Sequence, residues 1–202
     1  MKNDEITLTE AVGESGIISD GDWIESKDQD PSGTIRLVQL ADIGDGRFLN
    51  KSRRFVNTET AERLRCTFLV PGDVLVARLP DPLGRACVFP DISQPAIAAV
   101  DVCIIRPDPT KVKCDWLVLF LNSPGIRSLI ASYAQGATRA RVPTGKLRLL
   151  PVKLPTIEAQ TDIAARIIQQ LNLVDSAKAA AVLQIEELKL LPQKLLARIS
   201  EF

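Results

Sequence analysis

Between Trp116 and Ile157 the chain carries no acidic residue, yet it holds Arg127, Arg139, Arg141, Lys146, Arg148 and Lys153. Within that stretch, Gly136-Ala-Thr138-Arg139-Ala-Arg141 joins glycine freedom to closely spaced guanidinium groups, and Thr144 and Lys146 follow at once. A second cluster gathers Arg47, Lys51, Arg53 and Arg54 with Asn57 and Thr58. Basic side chains on loops, mixed with short hydroxyl and amide donors, are what phosphate recognition uses. Arginine on guanine, or asparagine and glutamine on adenine, would read bases in the major groove. The plainer reading of each cluster is a solvated face of mixed charge, and residue types alone do not separate phosphate contacts from base contacts.

Other chemistries lack their parts. The chain has no histidine, which removes the commonest general base and the commonest triads. Gly145-Lys146 invites a phosphate-loop reading, but the upstream glycine is Gly136 and Leu147 stands where Ser or Thr is required. Glu187-Leu188-Lys189 and Glu25-Ser26-Lys27 resemble half of a metal-dependent nuclease signature. The first lies in a helical run, where residues two apart face different ways, and the second lies in an acidic turn-rich segment. No glycine-rich cofactor loop or Asn-Pro-Pro-aromatic motif of an adenine methyltransferase is present. Cys66, Cys87, Cys103 and Cys114 form no CxxC pair and read as buried thiols rather than zinc ligands. Catalytic and metal residues are therefore expected to be absent. With few aromatics, a stacking platform for single strands is not expected, and Trp23 and Trp116 read as core or hinge packing.

The net charge of zero conceals an uneven distribution. Residues 1–30 hold nine acids against two lysines, residues 31–150 hold seventeen bases against ten acids, and the remainder balances. A neutral protein with a basic middle can bind a polyanion on one face. No basic-then-apolar leader appears and no apolar run approaches the roughly 18 residues that span a bilayer, so a cytoplasmic protein with reduced thiols is expected.

The elements that would position these loops are legible in outline. Ile35–Leu40, Phe68–Val70, Val74–Arg78, Ala86–Phe89 and Val102–Arg106 are short runs rich in β-branched residues, bounded by Gly44-Asp-Gly46, Pro71-Gly-Asp73, Pro82-Leu-Gly84, Pro90-Asp91 and Pro107-Asp-Pro109. They predict an α/β protein of the α+β type, with a twisted, mostly antiparallel sheet or partial barrel and flanking helices. A short helix is predicted over Leu8–Val12. Asp115–Ser123 reads as a helix capped by Asp115, broken at Pro124-Gly125 and followed by a second over Ile126–Ala134. Residues 135–150 read as a loop with a short strand-like run, and Pro151–Pro155 cannot be regular helix.

From Ile157 to about Leu191 nothing interrupts a helix, and Pro192 is expected to kink or end it. Its apolar residues Ile167, Leu171, Val174, Ala181, Ile185 and Leu188 follow a three-four spacing broken only by Lys178. Thirty-five residues of helix reach roughly 50 Å, more than one small domain can cover, so a second copy is the simplest partner for the seam. The expected division is a target-reading domain over residues 1–155 and a spacer and dimerisation helix over 156–202.

The order of motifs resembles the specificity subunit of Type I restriction-modification enzymes. The matching segments are Ile35-Arg36 with Ala41-Asp42-Ile43-Gly-Asp-Gly46, Pro71-Gly72-Asp73-Val74-Leu75-Val76-Ala77-Arg78, Leu83-Gly84-Arg85-Ala86, Gly136-Ala-Thr138-Arg139, and Leu150-Pro151-Val-Lys-Leu154-Pro155-Thr-Ile-Glu158-Ala-Gln160. The last is similar to the family's Leu-Pro-x-Pro-Leu-Pro-x-x-x-Glu-Gln entry into its spacer helix. It departs in placing Val152-Lys153 between the prolines and Ala159 between Glu158 and Gln160. The resemblance implies a non-catalytic subunit that reads one half of a split duplex site. The expected DNA-binding set is Arg47, Lys51, Arg53, Arg54, Asn57, Arg78, Thr138, Arg139, Arg141 and Lys146. It further implies adenine methyltransferase partners, which would carry the S-adenosylmethionine, and a translocase-nuclease subunit beyond them. The family usually holds two target domains and two helices. One of each here implies a homodimer. The alternative is an interaction adaptor or decoy that keeps the scaffold without selective DNA binding.

Overall fold

The computed structural model describes residues 5–80, 83–136 and 140–197. The chain divides into two compact units, Met1–Thr161 and Asp162–Phe202. In the first unit the strands are β1 (Ile6–Thr7), β2 (Ile17–Asp20), β3 (Ile35–Val38), β4 (Phe55–Val56), β5 (Val74–Ala77), β6 (Ala86–Val88), β7 (Ala96–Ala98), β8 (Val102–Arg106) and β9 (Pro151–Val152). The helices are α1 (Leu8–Val12), α2 (Thr58–Arg63), α3 (Cys114–Asn122), α4 (Pro124–Ser132) and α5 (Thr144–Arg148). The last helix, α6, spans Ile157–Ala197.

Two sheets share the interior. One is antiparallel in the order β2-β8-β5-β6; the other is β4-β3-β7, in which β3 and β7 run parallel. A two-stranded antiparallel pair, β1-β9, completes the set, and none of the described sheets closes into a barrel. All four residues of β3 and of β5 are buried, so both run as continuous buried segments without alternation. Val38, Leu75, Ala77, Ala98 and Ile104 meet in one core cluster drawn from both sheets.

Strand register brings several strand ends together. Val38 pairs with Ala98, Ala77 with Val102, and Asp20 with Cys103. The C-terminal ends of β2, β3, β5 and β7 therefore gather at one rim, beside the start of β8. There the two sheets are laced together: Gly21 N–H donates to Val102 O at 2.8 Å and Asp22 N–H to Ala98 O at 2.7 Å. The approach is too close for a side chain, because a Cβ at Gly21 would lie 2.3 Å from Ala99 O.

Local chemistry fixes the helices. Thr7 and Glu10 form a reciprocal capping box that starts α1, and Asn57 Oδ1 accepts Thr60 N–H at 2.8 Å to start α2. The helix break expected at Pro124 is present, α3 ending at Asn122, but α4 starts at Pro124 rather than Ile126, since the missing N–H is not needed in a first turn. Asp115 is not the cap of α3; it lies in the first turn, and Lys113 occupies the cap position. Gln160, fully buried, secures that end from another element. Its Oε1 accepts Lys113 N–H at 2.8 Å, and its Nε2 donates to Lys111 O and Pro155 O at 2.9 Å.

In the second unit, α6 continues through Pro192 to Ala197, so the proline does not end the helix; it removes one backbone donor. Ile167, Leu171, Val174, Ile185 and Leu188 are exposed along it, as is Ala181. No helix among the described residues is long and apolar enough to cross a membrane.

Candidate nucleic-acid interface

Asp42 organises the loop that leaves the rim after β3. Its carboxylate is wholly buried and gathers four donors from the loop and strand. Oδ2 accepts Gln39 N–H at 2.7 Å and the Ser52 hydroxyl; Oδ1 accepts Ser52 N–H at 2.8 Å and Arg36 Nη2 at 3.3 Å. The Arg36 guanidinium, equally buried, also donates to Asn50 Oδ1 at 3.0 Å and lies over the Phe55 ring. Burial lowers the Arg36 pKa, and Asp42 opposes that loss by attracting the charged form. Residues 39–54 are thus tied to β3 at both ends. Between those ends, Gly46 adopts a left-handed turn with φ of 73° and donates its N–H to Ala86 O at 2.9 Å. Arg127 pairs with Asp45 beside it.

Arg78 does the same for the basic segment beyond α4. It is 2% exposed, an interior residue. Nη1 donates to Thr144 Oγ1 at 2.8 Å and faces Asp20 Oδ1 at 3.1 Å, while Nη2 donates to Val100 O. The backbone joins in, since Val142 N–H donates to Arg78 O at 3.0 Å. Burial lowers the Arg78 pKa, against the attraction of Asp20. Its two terminal nitrogens are engaged within the fold, which makes it a post for the loop.

Arg141 sits on that post. Its backbone pairs with Gln135 in both directions, at 2.8 and 2.9 Å, closing the loop at its base. The side chain is about one third exposed; Nη2 donates to Val100 O at 2.8 Å, and Nε lies 3.4 Å from Asp101 Oδ1. Lys146, exposed on α5, reaches over the Tyr133 ring at 5.8 Å. Thr138 and Arg139 lie outside the described residues.

The remaining expected contacts separate by position. Arg47, Lys51, Arg53 and Arg54 are exposed on the loop after β3. Arg53 donates to Asn50 O at 3.0 Å and Arg54 to Gln29 Oε1 at 2.8 Å, so both rest against neutral oxygens. Among the described residues, Lys51, Arg53, Arg54 and Lys146 have no carboxylate within ion-pair distance, and their charge faces solvent uncompensated. Asn57 belongs elsewhere: β4 runs back along β3, with Val56 opposite Ile35, so Asn57 caps α2 at the far end of the strand.

Sequence reasoning overlooked a cleft at the rim. About 340 Å³ in volume, it is lined by Asp22, Trp23, Gln39, Leu79, Asp101 and Arg141, among others. Trp116 is buried, as packing required, but Trp23 is 68% exposed at this cleft, which removes the core half of its expected core or hinge packing. A tryptophan in an acidic, turn-rich segment was the available signal. Of the thiols, Cys87 and Cys103 are buried, while Cys66 and Cys114 are half-buried. Burial pushes Cys87 and Cys103 up to about 12 and Cys66 to about 11.

No family model and no curated protein matches this sequence. Solved structures do. A chain from a study of complex assembly and conformational transition of the type I restriction-modification system aligns with TM-score 0.71 and 21% identity, over 93% of this chain and 43% of that one. The HsdS subunit of Thermoanaerobacter tengcongensis aligns at 0.64 and 20% identity, over 88% and 39%. The Type I restriction-modification S subunit of M. genitalium aligns at 0.53 and 15%, over 86% and 39%. This chain has the specificity-subunit fold. It spans about two fifths of the length of the chains it matches. The expected mixture of helices with largely antiparallel sheets, and the long C-terminal helix, is that of the specificity-subunit fold.

Proposed function

We propose that this chain is the non-catalytic DNA-specificity component of a Type I-like restriction-modification complex, reading one half of a bipartite duplex site. In this reading it directs adenine methyltransferase subunits, with or without a translocase-nuclease, and the cofactor S-adenosylmethionine belongs to those partners. The exposed stripe on α6 pairs with a second copy, which supplies the reader of the other half-site.

One observation carries the reading: loops braced from inside by Asp42 and Arg78 hold Lys51, Arg53, Arg54 and Lys146 toward solvent without carboxylate partners among the described residues. Bracing of this kind lowers the entropy lost when a loop engages a ligand, and uncompensated cations release counterions from duplex DNA. The likeness in fold to Type I specificity subunits supports the same conclusion.

The test is duplex affinity of the full chain as a function of salt, against the Lys51→Ala, Arg53→Ala, Arg54→Ala, Lys146→Ala variant. Each lost phosphate contact lowers the slope of log K against log salt by about 0.9. A drop of about 2–4 is expected if most of the four make contact; equal slopes and affinities would refute the assignment.

A further inference from the structure

Resting on that DNA-binding reading, we infer that the rim cleft between Trp23, Gln39 and Arg141 reads base edges, while the exposed lysines and arginines hold phosphates. The cleft is chemically unlike the cationic loops. Two carboxylates, Asp22 and Asp101, line it together with Arg141 and Gln39. Asp22 accepts Thr67 N–H at 3.0 Å, and Asp101 faces Arg141. A phosphate entering here meets two acids and a guanidinium already occupied by Val100 O and Asp101, so the cleft disfavours backbone anions.

A base edge meets a different balance. Carboxylates accept from cytosine N4 and adenine N6, arginine donates to guanine O6 and N7, and glutamine bonds adenine N6 and N7 together. The cleft therefore presents donors and acceptors in one concavity, as discrimination among base pairs requires. Trp23 adds an apolar surface at the mouth. Its indole N–H only grazes Glu25 at 3.4 Å, and its ring stands 68% exposed, where a thymine methyl or a partly unstacked base step can cover it.

Position favours contact. Gln39 begins the loop fixed by Asp42, its own N–H being one of the donors that the carboxylate holds. Arg141 pairs with Gln135 through its backbone, and the next residue, Val142, donates its N–H to Arg78 O. Gln39 and Arg141 thus stand beside the same two braces as the phosphate-holding cations, so a duplex held by the cations is held in register with the cleft. Arg141 leaves the phosphate-binding set and joins the specificity set.

The experiment selects duplexes from a randomised pool with the full chain at moderate ionic strength, in parallel with Gln39→Ala, Trp23→Ala and Arg53→Ala. Gln39→Ala and Trp23→Ala are expected to lose preference at one or two base positions, by about 5- to 150-fold in discrimination, while salt slope and non-specific affinity stay at the parent values. Arg53→Ala is expected to weaken all sequences alike and to keep the selected sequence. Melting temperature checks that each variant is folded, and Gln39→Glu, which keeps the shape and exchanges donor for acceptor, is expected to change the preferred base. If the parent selects a sequence and the Gln39 and Trp23 variants select it with equal strength, the cleft does not read bases, though the DNA-binding reading stands. If the parent selects none, both fall.

Discussion

Asp42→Leu removes the buried carboxylate that organises the loop after β3, and its consequences can be worked from the geometry. Arg36 would remain 2% exposed with its ionic partner gone, and Ser52 N–H, Gln39 N–H and the Ser52 hydroxyl would lose their acceptor. Breaking a buried ion pair from one side costs about 3–5 kcal/mol. In a folded unit of this size each kilocalorie lowers the melting temperature by about 2–4 °C, so a fall of about 6–20 °C is expected. Calorimetry or a circular-dichroism melt reads it. The double variant Asp42→Leu, Arg36→Met replaces both charges by apolar groups and should recover a large part of the loss, because the uncompensated guanidinium is its main source. Below the lowered transition, Asp42→Leu should also bind duplex DNA more weakly although Lys51, Arg53 and Arg54 are intact, since the loop that presents them is no longer pinned. A single-variant shift under about 3 °C, or a double variant no better than the single, would overturn the role given to the Asp42–Arg36 pair.

Gln160→Leu strands Lys113 N–H, Lys111 O and Pro155 O; a fully buried group left without a partner costs about 1–3 kcal/mol, and these three are only part-buried and partly rescued by water, so a total destabilisation of about 2–4 kcal/mol is expected in denaturant melts. Leu171→Glu places a charge in the exposed stripe of α6; sedimentation should show a dimer for the parent and a monomer for the variant, and monomers for both would remove the pairing. The thiols give a pH test. Burial raises Cys87 and Cys103 from an ordinary 9.0 to about 12, so they stabilise the fold fully below pH 9 and lose that contribution as pH rises toward 12. A thiol reagent at pH 8 should label both only on unfolding; labelling of the native protein at the rate of a free thiol would contradict their burial.

Legibility in the sequence tracked the strength of each local signal. The runs 74–78, 86–89 and 102–106 announced β5, β6 and β8 through β-branched residues between turn signals, and Ile35–Leu40 announced β3, which ends at Val38. Phe68–Val70 became only an isolated bridge from Phe68 to Ile97. The elements missed are those whose pairing is imposed by distant partners. β1, β4 and β9 are two residues long, β7 is Ala-Ile-Ala with little intrinsic strand preference, and β2 gains its place from β8. Helix α5 follows Pro143 and contains Gly145, so its local sequence pointed to loop.

At the candidate interface, residue type identified the cations but not their surroundings. Arg78 directly follows a buried strand and Arg54 rests on an exposed loop, and only tertiary structure tells the two apart. Asn57 read as a donor in a basic cluster and is a helix cap. Gln39, Asp22 and Asp101 were invisible as a group because the strand order brings together segments that are far apart in sequence.

Amide hydrogen exchange of the full chain, with and without duplex DNA, probes the braced-loop interface most directly. Slowed exchange is predicted at residues 39–54 and 140–146, the two loops braced by Asp42 and Arg78, with little change at residues 5–13 and 107–113. Protection confined to those latter segments, with both braced loops unaffected, would contradict a DNA interface at the rim.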